Sequence, residues 1–351
     1  MHSQTRKSIG RLAVSDFNDT FLKACRQEPT DYIPVWFMRQ AGRSLPGYRK
    51  LRKKYGVIEL AQTPELAAQV SMEPVHLLGV DAAILFADIM LLPMAMGVDV
   101  KLVDNVGPIV TEPINSMAAI ETLNSFDPKN IDYLSKTIRI LRKELEVPVI
   151  GFSAAPFTLA SYLIEGEPSR KWLKTKRLMF EQKLVWDKFM NILSDAIIMY
   201  LLEQVKAGAQ ALQIFDSWVG CLSASDYRSY VLPHVQKIFT ALKGSGVPRI
   251  YFGTDTAAML KDFSDVDCEV IGLDWRIDIG EAKRLIGDKA FQGNLDPAVL
   301  LSDLGTIKKE AGRIIDSLPS RQGFIFNLGH GVLPQTNDQT LKKLVEFVHE
   351  Y

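Results

Sequence analysis

The chain has 351 residues, 47% hydrophobic and 23% charged, and its 41 Lys plus Arg balance 41 Asp plus Glu. These are ordinary globular proportions, and zero net charge excludes a global field that would draw nucleic acid or an anionic membrane surface. Cys25, Cys221 and Cys268 are odd in number and widely spaced, which fits free thiols in a cytoplasmic setting better than a disulfide framework or a zinc pattern.

Residues 1–16 carry Arg6, Lys7 and Arg11, with an apolar patch only from Leu12 to Val14, too short for a secretory core. They are expected to form a flexible N-terminus ahead of a single domain over residues 17–351. The first expected strand, Ile33–Phe37, runs directly into an arginine segment: Arg39, Arg43, Arg49 and Arg52, with Gly42 and Pro46 punctuating the turn. Guanidinium groups read carboxylates and phosphates with two parallel donors, so several on one constrained loop suggest a ligand with several negative groups. The competing reading is a surface ion-pair loop.

Thr63-Pro64 marks a helix start, an N-cap followed by proline in the first turn. The second expected strand, Ala82–Phe86, leads to Asp88, which interrupts two apolar runs. A lone carboxylate in such surroundings must be paired, protonated or reserved for a ligand, and a structural salt bridge to a nearby arginine competes with the last of these. Asp88 and Pro93 also break the most apolar stretch, Ala82 to Val98, so no membrane insertion is expected. Residues 98–126, with Asp99 to Val103 alternating, look like a hairpin excursion.

Further strands are expected at Pro148–Phe152, Ala211–Asp216, Arg249–Gly253, Val270–Asp274, Phe291–Leu295 and Phe324–Leu328. Helical faces lie between them. Leu134, Ile138, Leu141 and Leu145 mark one, and Leu193, Ile197, Leu201 and Val205, ended by Gly208, mark another. A last helix from about Asn337 carries Leu341, Leu344, Val345 and Val348 on one side. Eight strands alternating with helices predict an α/β, single-domain (β/α)8 TIM barrel with an extended arginine-bearing loop after the first strand. A doubly wound sheet is the runner-up, but no Gly-x-Gly-x-x-Gly follows any strand; Gly244-Ser245-Gly246 follows a helix and lacks the third glycine.

Barrel chemistry sits at the C-terminal strand ends, which here offer Arg39, Asp88, Asp216, Ser217, Thr254, Asp255, Asn327 and His330, with Tyr162 just beyond the third strand. Asp255, Asp274 and Asn294 serve equally well as polar ties of the barrel. No second ligand stands at metal spacing around His330, and Ser217 has no nucleophile-elbow partner.

Pro34-Val35-Trp36-Phe37-Met38-Arg39-Gln40-Ala41-Gly42-Arg43 resembles the N-terminal signature of the uroporphyrinogen decarboxylase family. The resemblance recurs at Phe86-Ala87-Asp88-Ile89, Gly151 to Gly166, Ile214-Phe215-Asp216-Ser217, Gln292 to Pro297 and Asn327-Leu328-Gly329-His330-Gly331, and covers the chain from about residue 17 onward. Ser44 and Gly47 stand where an aromatic and an acidic residue are common, and Phe157 where Trp is frequent.

The resemblance implies decarboxylation, without cofactor or metal, of the four acetate arms of uroporphyrinogen III to methyls, giving coproporphyrinogen III and CO2. It implies Asp88 and Arg39 as catalytic residues, and Arg39, Gln40, Ala41, Gly42, Arg43, Asp88, Tyr162, Ser217 and His330 around the tetrapyrrole substrate. Arg52 is a weaker candidate. It also implies a homodimer. A zinc-dependent corrinoid or thiol methyltransferase, a tetrapyrrole carrier and a phosphate-sugar barrel enzyme are the alternatives.

Overall fold

The computed structural model describes residues 17–103, 106–169 and 171–351; the flexible start expected over residues 1–16 lies outside them. Nine strands occur among these residues: β1 (Ala83–Ile84), β2 (Val100–Val103), β3 (Gly107–Val110), β4 (Val149–Ala154), β5 (Ala211–Asp216), β6 (Arg249–Gly253), β7 (Val270–Gly272), β8 (Ala290–Leu295) and β9 (Phe324–Leu328). β1 and β4 to β9 form one parallel sheet in chain order, each step crossing over through helical segments. β2 and β3 pair antiparallel, with Val100 opposite Val110, as the alternation predicts.

The eighth barrel position is held by the segment around Val35. It makes a single parallel bridge to Phe326 of β9, and on its other side the Val35 carbonyl accepts from the Asp81 N–H at 2.8 Å. A full strand was expected at Ile33–Phe37; the ladder is short because its donors go elsewhere. Pro34 has no N–H. The Val35 N–H donates to Asp81 Oδ2 (2.7 Å), the Phe37 N–H to Gln40 Oε1 (2.9 Å), and the Met38 N–H to Asn327 Oδ1 (3.1 Å). Asp81, buried, also accepts from the Tyr32 hydroxyl and Asn18, and lies 2.7 Å from the His349 ring nitrogen, so it ties this closing segment to the last helix.

β4 is buried at every residue, as strands covered on both faces require. Inward side chains stack across the barrel. Trp36 donates to Gln292, and Gln292 to Gln213. Towards the C-terminal strand ends, Phe152, Phe215 and Phe252 meet edge to face at 5.6 and 6.0 Å. The long helix Lys183–Ala207 ends at Gly208 with φ 118°, and the helix Asp338–Glu350 is capped by Asn337, both where the sequence predicts. No helix among the described residues is long and apolar enough to cross a membrane.

Candidate active site

Arg39 leaves the closing segment in the left-handed region, φ 60°, where a non-glycine residue is strained and persists only if its surroundings hold it. They do. Asn327 accepts from the Met38 N–H, the Met38 carbonyl accepts from the Val332 N–H at 2.8 Å, and Gln40, fully buried, bridges the Phe37 N–H to the Ala82 carbonyl. Gly331 leaves room for the side chain, since a Cβ there would lie 2.3 Å from Arg39 Cδ. The Arg39 surface is open to solvent while cleft walls surround it. That loss of bulk water holds its guanidinium below the usual arginine range; Arg43 pushes the same way, and Tyr162 and Asp88 oppose.

Asp88 follows β1 and is half-buried. Its Oδ1 accepts from the Met90 N–H at 2.8 Å. Burial raises its pKa above the ordinary carboxylate value, against the pull of that N–H and of Arg39. Among the described residues no ion pair joins Asp88 to an arginine, so the structural salt bridge that competed for it does not form.

Tyr162, on the helix Pro156–Glu165, stands 5.8 Å ring to ring from both Trp172 and Trp218, and burial raises its pKa. His330, in the loop after β9, lies 6.4 Å from the Phe252 ring. Burial, then Arg39 and Arg276, push its imidazole down to about 4. Arg39, Arg43, Asp88, Tyr162 and His330 thus share one electrostatic neighbourhood, and the Phe252 ring beside the imidazole continues into Phe215 and Phe152.

Ser217 is half-buried directly after β5, and its carbonyl accepts from Thr254 Oγ1 at 2.5 Å. Its neighbour Asp216 faces the other way. Strand alternation turns Asp216 outward into the helical layer, where it accepts from Thr158 (2.7 Å) and Tyr251 (2.9 Å), whose hydroxyl in turn meets Tyr227. Burial without a cation pushes this carboxyl up to about 6. Asp216 therefore belongs to the packing between barrel and helices. Gln40 has both amide ends committed to backbone, Ala41 is half-buried, and Gly42 packs against the Arg39 carbonyl. Arg49 donates to the carbonyls of Arg43 and Ser44, and Arg52 to that of Tyr55, so both brace local backbone.

Arg276 has no counterpart among the sequence candidates. It pairs with Asp255 and Asp274, each at 2.6 Å, and lies 4.1 Å over the Trp275 ring. Asp255 itself sits at φ 57°. The only sequence signal was a Trp-Arg pair one residue past an expected strand. Among the described residues no group of three or more His, Cys, Asp or Glu comes together as a metal site.

The profile of the family described as "Uroporphyrinogen decarboxylase (URO-D)" matches residues 16–351. A protein named uroporphyrinogen decarboxylase from Bacillus pumilus is 50% identical over 337 residues, covering 95% of this chain and 96% of that protein. One of the same name from Bacillus subtilis is 49% identical over 337 residues, with coverage of 95% and 96%. Among solved structures, a methyltransferase from Methanosarcina mazei superposes with a TM-score of 0.75 over 95% of this chain and 98% of its own, at 22% identity, a likeness of fold.

Proposed function

The chain belongs to the uroporphyrinogen decarboxylase family, and on that premise we propose that its cleft converts the four acetate arms of uroporphyrinogen to methyls, releasing CO2 and coproporphyrinogen without a cofactor. One observation carries the assignment of roles: Asp88, joined to no cation by an ion pair among the described residues, shares one electrostatic neighbourhood with Arg39 and Arg43.

Losing CO2 from an arm requires an electron sink. Protonating the pyrrole α-carbon next to the carbon that bears the arm turns the ring into a conjugated cation, which accepts the electrons of the breaking C–C bond as an exocyclic methylene forms. The exocyclic carbon then takes a proton, the ring carbon releases one, and each acetate becomes a methyl with net uptake of one proton. Asp88 stabilises the cationic ring and accepts from the pyrrole N–H groups, in surroundings where a fixed anion acts more strongly than in water. Arg39 and Arg43 hold carboxylate arms. Tyr162, Ser217 and His330 contact further arms, while Gln40, Ala41 and Gly42 support the turn that carries the arginines.

His330 is a costly acid, while Asp88, whose carboxyl burial holds above its ordinary value, is a further candidate for the proton donor. With the imidazole at about 4, protonating it at pH 7 costs about 4 kcal/mol at 1.36 per unit. Arg39, though lowered, starts from a far higher value.

The single barrel domain over 17–351 works as a cytoplasmic homodimer in this reading. Three free thiols fit the compartment. Exposed Val103, Val106, Leu173, Phe180 and Leu184 offer apolar surface for a second copy.

The test is anaerobic incubation of the purified protein with reduced uroporphyrinogen III, with products oxidised and separated by carboxyl number. Progression from eight carboxyls to four supports the assignment. Unchanged substrate, with binding verified separately, overturns it in favour of a carrier.

A further inference from the structure

Residues 32–58 contain seven cations and no acid, which leaves 34 cations against 41 acids in the rest of this neutral chain. The cations are Arg39 and Arg43, already placed in the cleft, then Arg49, Lys50, Arg52, Lys53 and Lys54. The last five occupy the helix Pro46–Arg52 and the turn that follows it. Its dipole favours a cation or two near the C-terminal end. It does not account for a stretch of this length without a carboxylate.

The helix is fastened to the cleft mouth. Arg49 reaches back to the carbonyls of Arg43 and Ser44, and Tyr48 packs edge-on against Phe86, two residues before Asp88. Glu73, an acid that meets the helix, is engaged with the Gly47 and Tyr48 N–H groups. Lys50, Lys53 and Lys54 are exposed, and among the described residues they form no ion pair. Seven helical residues span about 10 Å at 1.5 Å each. The lysines therefore stand little more than one Debye length from the cleft mouth, that length being roughly 8 Å at physiological ionic strength.

We propose that Lys50, Lys53 and Lys54 form an electrostatic apron that captures polycarboxylate tetrapyrroles from solution and guides them to Arg43 and Arg39. The proposal rests on the substrate class inferred above. The negative balance of the remaining chain sharpens it, since a polyanion is repelled elsewhere and attracted at the mouth. Because the apron acts before the ligand is seated, it sets the rate of encounter and leaves the chemical step alone.

The test is stopped-flow association of uroporphyrin, with eight carboxylates, and coproporphyrin, with four, followed by quenching of tryptophan fluorescence across a range of ionic strength. The full-length protein is compared with the triple variant Lys50→Glu, Lys53→Glu, Lys54→Glu. A control carries the same charge change at Lys143, Lys206 and Lys243, which lie in the last turns or at the C-cap of the helices Asp132–Glu144, Lys183–Ala207 and Leu232–Leu242 and hence at the end of the barrel away from the cleft.

In the apron variant, association at low salt is expected to slow by at least about tenfold, with a flattened salt dependence and rates converging on wild type at about 1 M salt. The wild-type salt slope is expected to be steeper for eight carboxylates than for four, the control to keep it, and kcat on uroporphyrinogen to stay within about twofold of wild type in the apron variant. Equal slopes in apron variant and wild type, or an equal loss in the control, would overturn the proposal. Steered association without any decarboxylation would instead count against the catalytic reading and leave the apron standing.

Discussion

Gly331 and Arg39 come from opposite ends of the chain and fit together where the barrel closes: a Cβ on Gly331 would lie 2.3 Å from Arg39 Cδ and 2.7 Å from Cγ. No left-handed backbone at Gly331 demands glycine. The missing side chain there serves the arginine. Gly331→Ala is therefore expected to push the guanidinium out of position, cutting kcat/KM by about tenfold or more, since small misplacements of positioning groups are costly. Its melting temperature should stay close to wild type. Unchanged kinetics, measured beside thermal melts, would show that the side chain relocates freely.

Arg39→Lys keeps the charge and loses the planar fork. At least about a tenfold loss of kcat/KM is expected, because an ammonium cannot make the two-pronged contact. Near-normal steady-state kinetics would refute that contact.

Asp88→Ala should abolish nearly all turnover, since it removes the anion facing the cationic ring. Retention of more than about a tenth of wild-type activity would sink the role given to Asp88.

His330 should stay neutral well below neutrality. Its imidazole is held down to about 4 by burial and by Arg39 and Arg276. An NMR titration of labelled histidines, with His330 assigned by its disappearance in His330→Gln, should show no inflection for this ring between pH 8 and about 5. An inflection near 6.5 would contradict the proposed protonation state and reopen His330 as the acid. A folded value below the unfolded one also means that stability contributed here is present above the unfolded pKa and is lost as pH falls towards 4.

Asp216 has the opposite sign. Its folded pKa of about 6 lies above the ordinary carboxyl value, so between about pH 4 and 6 the folded state binds the proton that the unfolded state has lost. Stability from this group falls as pH rises through that window, by about 3 kcal/mol in all. Denaturant unfolding of wild type and Asp216→Asn across pH 4 to 7 should show a difference that shifts in the variant's favour as pH rises. A difference independent of pH would mean that the carboxyl is already ionised in its buried site.

Much of this protein was determined by its sequence alone. Seven of the eight expected barrel strands form within a few residues of their expected bounds, because short apolar runs between turn residues and helical periodicities are properties of consecutive residues. The arginine segment and Asp88 were legible for the same reason: clustered guanidinium groups and a carboxylate in an apolar run are unusual wherever they later fold. The eighth strand dwindled to a bridge because Asp81, Gln40 and Asn327 captured its N–H groups, and two of those acceptors are more than forty residues away. Tertiary structure likewise decided that Asp216 faces the helices and its neighbour Ser217 follows at the strand end, that Arg276 is clamped by Asp255 and Asp274, and that Asp88 has no arginine partner among the described residues. Composition says which charges a chain owns. Which of them neutralise one another and which remain for a ligand depends on the meeting of loops from different strands, and only the closed barrel brings those loops together.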